Sequence, residues 1–152
     1  MVNFQLSAQY DGMFDTNKLI QAAEATLKHE LPDAQVELSI MVDSDETIQD
    51  LNKQYLDNDS PTDVLSFPAD EFDPDEQYRY IGDIIISFPR ASLQAEAAGH
   101  PVNNELQLLV VHGTLHLLGY DHADPAQKEN MWAVQAELLD QIGCTINQLP
   151  EN

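Results

Sequence analysis

The sequence is short of basic residues. Lysine and arginine number 6 against 27 aspartates and glutamates, a formal net charge of −21 over 152 residues. That balance excludes nucleic-acid binding through a broadly basic surface, because phosphate contacts need lysines and arginines. Cysteine is nearly absent. Cys144 stands alone, which rules out an internal disulfide and any zinc site built from several thiolates. No apolar stretch reaches the roughly 18 residues of a membrane-spanning helix. The opening MVNFQLSAQYDGMFD has neither a basic run nor a long apolar one. We therefore expect no secretory signal and a cytoplasmic protein. An apolar fraction of 43% still suffices for a packed core. The length suits one domain over 1–152.

What is present alternates between strand and helix signals. Val2, Phe4 and Leu6 recur at every second position, which predicts a half-buried strand within 2–10. Asp15 or Thr16 can cap a helix to about Leu31, which Pro32 ends. Val36, Leu38 and Ile40 mark a second strand, and Asp43 with Glu46 forms a capping-box start for a helix to about Leu56. DVLSFP and IGDIIISF are strands; the acidic ADEFDPDEQYRY between them, broken by proline, is expected as a surface loop. Three helices follow, over 89–99, 103–118 and 125–142. Strands and helices mix without strict alternation. The expectation is an α+β fold: a small mixed sheet of about four strands packed with about five helices.

The chemistry concentrates in HGTLHLLGYDH, residues 112–122. His112 and His116 are four apart, so both imidazoles leave one face of the helix, one turn apart. The helix around them is apolar, and two imidazoles in a core are costly without partners for their ring nitrogens. A metal ion partners both. Gly119 can take the left-handed conformation that stops a helix and turns the chain, which brings His122 back. Three imidazoles without thiolates suit Zn²⁺, with Ni²⁺ or Cu²⁺ as other ions such a set binds, and leave a coordination position open; a closed structural zinc with Cys144 or Asp121 as fourth ligand is the alternative. His29 and His100 are expected as ordinary core or surface residues. The spacing equals that of the long zinc-protease motif, but the glutamate general base of those enzymes is Gly113 here. A metalloprotease is disfavoured accordingly. Asp121 is a candidate to accept a hydrogen bond from a ligand histidine; turn stabilisation explains it equally. Thr62 and Asp63 can line a cleft, and a turn before a strand accounts for them as well.

HGTLHLLGYDH, with SPTDVLSFP at 60–68 and IGDIIIS at 81–87, resembles the bacterial YbeY family of ribosomal RNA maturation factors, described as metal-dependent endoribonucleases. The resemblance spans about Val36 to Gly143. It implies an α+β fold with a metal beside the sheet, held here by His112, His116 and His122. It further implies cleavage of single-stranded RNA in small-subunit 3′-end maturation and ribosome quality control. Members carry an arginine after the tyrosine that precedes the PTDVLSF segment; here Tyr55 is followed by Leu56. Leucine cannot hold a phosphate, whereas a guanidinium can. Lys53, one turn earlier, and Arg79, in the acidic stretch, are the candidate substitutes, and each is otherwise a solvated charge.

The leading expectation is thus a zinc-dependent endoribonuclease acting on ribosomal RNA. The alternative is a ribosome-associated zinc protein that has lost cleavage with the arginine. The charge of −21 suggests delivery to the small ribosomal subunit by a basic ribosomal protein. Neither a membrane nor DNA is expected as a partner.

Overall fold

A computed structural model describes residues 2–146. In chain order the elements are β1 (Val2–Leu6), a 3-10 turn (Ala8–Tyr10), α1 (Thr16–Glu30), β2 (Val36–Asp43), α2 (Asp45–Leu56), β3 (Val64–Asp73), β4 (Tyr78–Ser87), α3 (Phe88–Ala98), α4 (Val102–Leu117) and α5 (Pro125–Gln141). The sheet has four strands in the order β1-β2-β4-β3. β1, β2 and β4 run parallel, and β3 lies antiparallel to β4 at one edge. The α+β expectation, with a mixed sheet and five helices, is met.

Alternation in β2 decides which face is buried. Val36, Leu38, Ile40 and Val42 point to one side and are buried. With Ile84 and Ile86 of β4 they form the main core against α1, α4 and α5. Residues of the opposite parity face the other way. There Ile85 and Leu65 meet Ile48 and Leu51 of α2. Each fully buried Leu or Ile side chain is worth about 1.5–3 kcal/mol. The helix α4 lies at the centre: Leu106, Leu108, Leu109, Val110, Val111 and Leu115 are all buried, and it touches α1, α3, α5, β3 and β4.

Two local expectations need correction. The acidic stretch from Ala69 to Tyr80 is not a loop. β3 and β4 continue through it as a hairpin, pairing Glu71 with Tyr80, Phe72 with Arg79 and Asp73 with Tyr78. Only residues 74–77 turn, with Gln77 in the left-handed region at φ 62°. Pro68 breaks nothing because it sits on an edge strand, and the Asp73 carboxylate accepts from the backbone N–H groups of Asp75 and Glu76. The cap of α2 is Ser44 rather than Asp43. Its hydroxyl accepts from the Thr47 N–H at 3.1 Å, while Asp43 accepts from the Ser44 N–H.

α2 and α3 are tied at their N-termini. Arg90 donates from Nε and Nη2 to the two oxygens of Asp45, both at 3.1 Å, and Ser87 Oγ adds a bond at 3.0 Å. The Arg90 guanidinium holds the Asp45 carboxyl below its ordinary value, against the opposing effect of burial. A carboxyl with a lowered folded-state pKa stabilises the fold above its unfolded pKa of about 3.9 and loses that contribution as pH falls through the folded value. Arg90→Ala is therefore expected to lower Tm at neutral pH. The gap to the parent should narrow on acidification below about pH 4, as read by thermal melts across pH.

Candidate metal centre

The end of α4 is built to return the chain. Gly119 adopts φ 100°. The Gly119 N–H donates to His116 O and the Tyr120 N–H to Leu115 O, both at 3.0 Å, the paired bonds of a glycine helix stop. His122 then lies before α5, whose cap is the Asp124 carboxylate accepting from Gln127 N at 2.8 Å. His112, His116 and His122 converge, with one ligating atom of each within 4.8 Å of the others. Nε2 of His116 stands 3.1 Å from Nε2 of His112. These three could hold a metal ion, and they form the only such group among the described residues.

α5 orients the cluster. His112 Nδ1 is 3.0 Å from Oε1 of Gln135, a side chain 2% exposed. The ring must donate there, which leaves the Nε2 lone pair turned to the other two imidazoles. Trp132 stands edge-on to His112 and His122, at 5.5 and 5.6 Å between ring centroids. Burial pushes His112 down to about 4, helped by His116 and His122 and opposed by the Gln135 hydrogen bond. His116 is lowered for the same leading reason, burial, with His122 adding to it. Both rings are thus neutral at physiological pH, the form that ligates a metal.

Sequence patterns single out neither Gln135 nor Trp132 as functional. The signal for Gln135 lies in α5 itself. Met131, Gln135 and Leu138 share the buried stripe of that helix, and an uncharged polar residue inside an apolar stripe needs a partner. Asp121 serves the turn: its Oδ1 accepts from the His122 backbone N–H at 2.7 Å. His29 pairs with Glu30 at 2.7 Å, and buried His100 with Glu105 at 2.7 Å, both apart from the cluster.

The histidines open on a cleft of about 410 Å³ walled by Pro68 and residues 62–66 of the β3 segment. Thr62 and Asp63, expected as possible cleft residues, are in that wall. Asp63 is 2% exposed, and Oδ1 accepts from the Val64 N–H and the Thr62 hydroxyl while Oδ2 accepts from Gln94. Among the described residues, no lysine or arginine lines this cleft. Lys53 is exposed and 3.9 Å from Asp59. Arg79 pairs with Asp70 and lies over the Phe72 ring. Leu56 is 52% exposed. A larger groove of about 600 Å³ opens on the other face of the sheet, lined by Tyr55, Phe67, Tyr80 and Asp83 but by no histidine.

Gly113 has a packing reason. A Cβ there would stand 2.9 Å from Ile84 Cγ2 and 3.2 Å from Ser66 Oγ. Ile84 is fully buried and β-branched, so it cannot yield cheaply. The position taken by the protease glutamate is thus pressed onto the sheet, with no room for a side chain. Overpacking costs about 1–3 kcal/mol and outweighs the helix-propensity gain of up to about 1 kcal/mol. Gly113→Ala is expected to lower Tm by a few degrees in thermal melts, and Gly113→Glu to prevent soluble folded protein from accumulating.

Comparison with known proteins agrees with this architecture. The family model described as Endoribonuclease YbeY matches residues 5–143. The chain is 43% identical over 129 residues to Endoribonuclease YbeY of Persephonella marina, covering 84% of each protein. It is 42% identical over 148 residues to Endoribonuclease YbeY of Roseiflexus sp., covering 93% of this chain and 92% of the relative. The solution structure of TM1509 from Thermotoga maritima superposes with a TM-score of 0.62 at 26% identity, covering 93% of this chain and 89% of that one. With the match running through both the sheet and the histidine motif, the chain belongs to the YbeY endoribonuclease family.

Proposed function

We propose that this protein is a zinc-dependent endoribonuclease that cuts single-stranded RNA in the maturation of ribosomal RNA, at the small-subunit 3′ end, and serves ribosome quality control in the cytoplasm. The observation that carries the reading is the convergence of three imidazoles within 4.8 Å on a chain of this family. The donor set suits zinc. Two nitrogens each about 2.0–2.1 Å from a tetrahedral ion lie about 3.3 Å apart, close to the 3.1 Å between the Nε2 atoms of His112 and His116. Cys144, the one thiol, is buried beside Asn104 O and is not in the cluster.

His112, His116 and His122 would hold the ion, and Gln135 would keep His112 in the ligating tautomer. When bound, zinc supplies a Lewis acid and lowers the pKa of its water towards 7. The cleft beside β3 would receive the RNA alongside the histidines. Gly113 leaves no carboxylate base next to His112, which sets this site apart from that of a zinc protease.

The charge of −21 supports delivery by a basic ribosomal protein of the small subunit, since carboxylates crowd the surface and no cation lines the cleft. A second reading, a ribosome-associated zinc protein without cleavage, is favoured by two observations. Leu56 is exposed where the family carries arginine, and Lys53 is paired with Asp59.

Two measurements decide. Zinc-loaded parent is expected to cut single-stranded ribosomal RNA, and His116→Ala prepared identically is expected not to. If neither cuts, the binding-protein reading takes over. Independently, Gln135→Leu should weaken zinc binding by about 10–100-fold in a chelator competition, with the fold retained by circular dichroism. Unchanged affinity would remove Gln135 from the site.

A further inference from the structure

The cleft has to receive a polyanion with no cationic side chain on its wall. Phosphate must then be met by hydrogen-bond donors, and the side-chain hydroxyls of the wall are spent. The Thr62 hydroxyl is 3.3 Å from Asp63 Oδ1, and the Ser66 hydroxyl donates to Gly113 O at 3.2 Å. Asp63 has only acceptors to offer, and its charge repels phosphate.

The backbone of β3 is different. β3 is an edge strand, paired only with β4, and its free edge walls the cleft. In an antiparallel ladder, residues alternate between pairs that exchange hydrogen bonds and pairs whose N–H and C=O point away. The phase is set twice. Ser87 N donates to Asp63 O at 2.9 Å, so the pair at 63 and 87 is bonded. Val64, opposite Ile86, then points outward, and its N–H is indeed taken by Asp63 Oδ1 at 2.8 Å. Counting on, Leu65 and Phe67 bond to β4, while Ser66 and Pro68 point outward. Pro68 has no N–H to lose there.

The free edge from Val64 to Pro68 therefore offers three outward carbonyls and one open donor, the Ser66 N–H. Among the described residues of that segment, Val64 to Pro68, it is the outward backbone N–H with no acceptor already on it, so a phosphate oxygen there meets a donor instead of an acceptor. We propose that the Ser66 backbone N–H donates a hydrogen bond to a non-bridging phosphate oxygen of the RNA strand, fixing the scissile phosphate in register beside His112, His116 and His122. The role rests on the endoribonuclease reading. A backbone donor of this kind is held by the ladder on either side and does not reorganise during the reaction.

The test has two arms on the zinc-loaded chain. In the first, amide resonances are followed by NMR while a 2′-O-methyl single-stranded RNA oligonucleotide is added. The Ser66 amide proton should move downfield by more than those of Leu65 and Phe67, whose N–H groups are committed to β4. In the second, Ser66→Pro deletes the donor at a position where the ladder does not use it, and Ser66→Ala, which loses only the hydroxyl bond to Gly113 O, is the reference for it. RNA cleavage should fall by about 10²-fold in kcat, the cost of losing one oxyanion donor, with Tm near that of the parent. If other cleft resonances shift while Ser66 stays still, or if Ser66→Pro cuts at the parental rate, this inference is overturned and the endoribonuclease reading stands. If the parent neither cuts RNA nor shows any shift, the endoribonuclease reading itself fails, and this inference with it. Should Ser66→Pro not fold, the amide titration alone decides.

Discussion

Everything at the histidine cluster depends on how closely α4 can lie on the sheet. At Gly113 the helix backbone meets Ile84 and Ser66 with no side chain between them. That contact sets the height of the helix over β3 and β4. His112, the preceding residue, and His116, one turn on, then leave the helix just beyond the free edge of β3. A bulkier residue would lift the helix and open the cleft whose two walls are α4 and β3. The absence of a protease-like glutamate is thus the outcome of a packing requirement as well as a difference in chemistry.

Support for the histidines comes from three directions, each of different physical origin. The turn at Gly119 returns His122 through backbone hydrogen bonds. α5 supplies Gln135 and Trp132 from a helix distant in sequence from His112. Burial holds His112 and His116 neutral. The three supports act together: a neutral ring in the wrong tautomer, or an aligned pair without His122, would not make a site of three nitrogens. Separating them energetically requires double-mutant cycles, since neighbours in one network do not add.

Much of this was readable from residues alone, for identifiable reasons. The i, i+4 histidines, the glycine after the helix and the alternation of β2 are local patterns, and local patterns survive folding. What the sequence concealed was non-local or double-valued. The acidic stretch from Ala69 to Tyr80 has loop composition, yet its cross-strand partners make it a hairpin. Gln135 acquires a role only through a ring 23 positions earlier in the chain. Asp43 and Ser44 are both good caps, and only the backbone geometry at 44 decides between them. In the sequence Gly113 is only a missing base; that it fills a steric necessity depends on Ile84, which no spacing rule connects to it.

The unpaired edge of β3 has one more consequence. An exposed strand with free N–H and C=O groups is a template on which another chain can add a strand, the route to sheet-on-sheet aggregation. Here the template is interrupted at both ends of the segment by the cleft. The Asp63 carboxylate occupies the Val64 N–H, and Pro68 has none to give. Along this stretch an incoming strand would find two of the three outward donors missing. Missing donors weaken strand addition beside the cleft, as prolines and charges do on other edge strands.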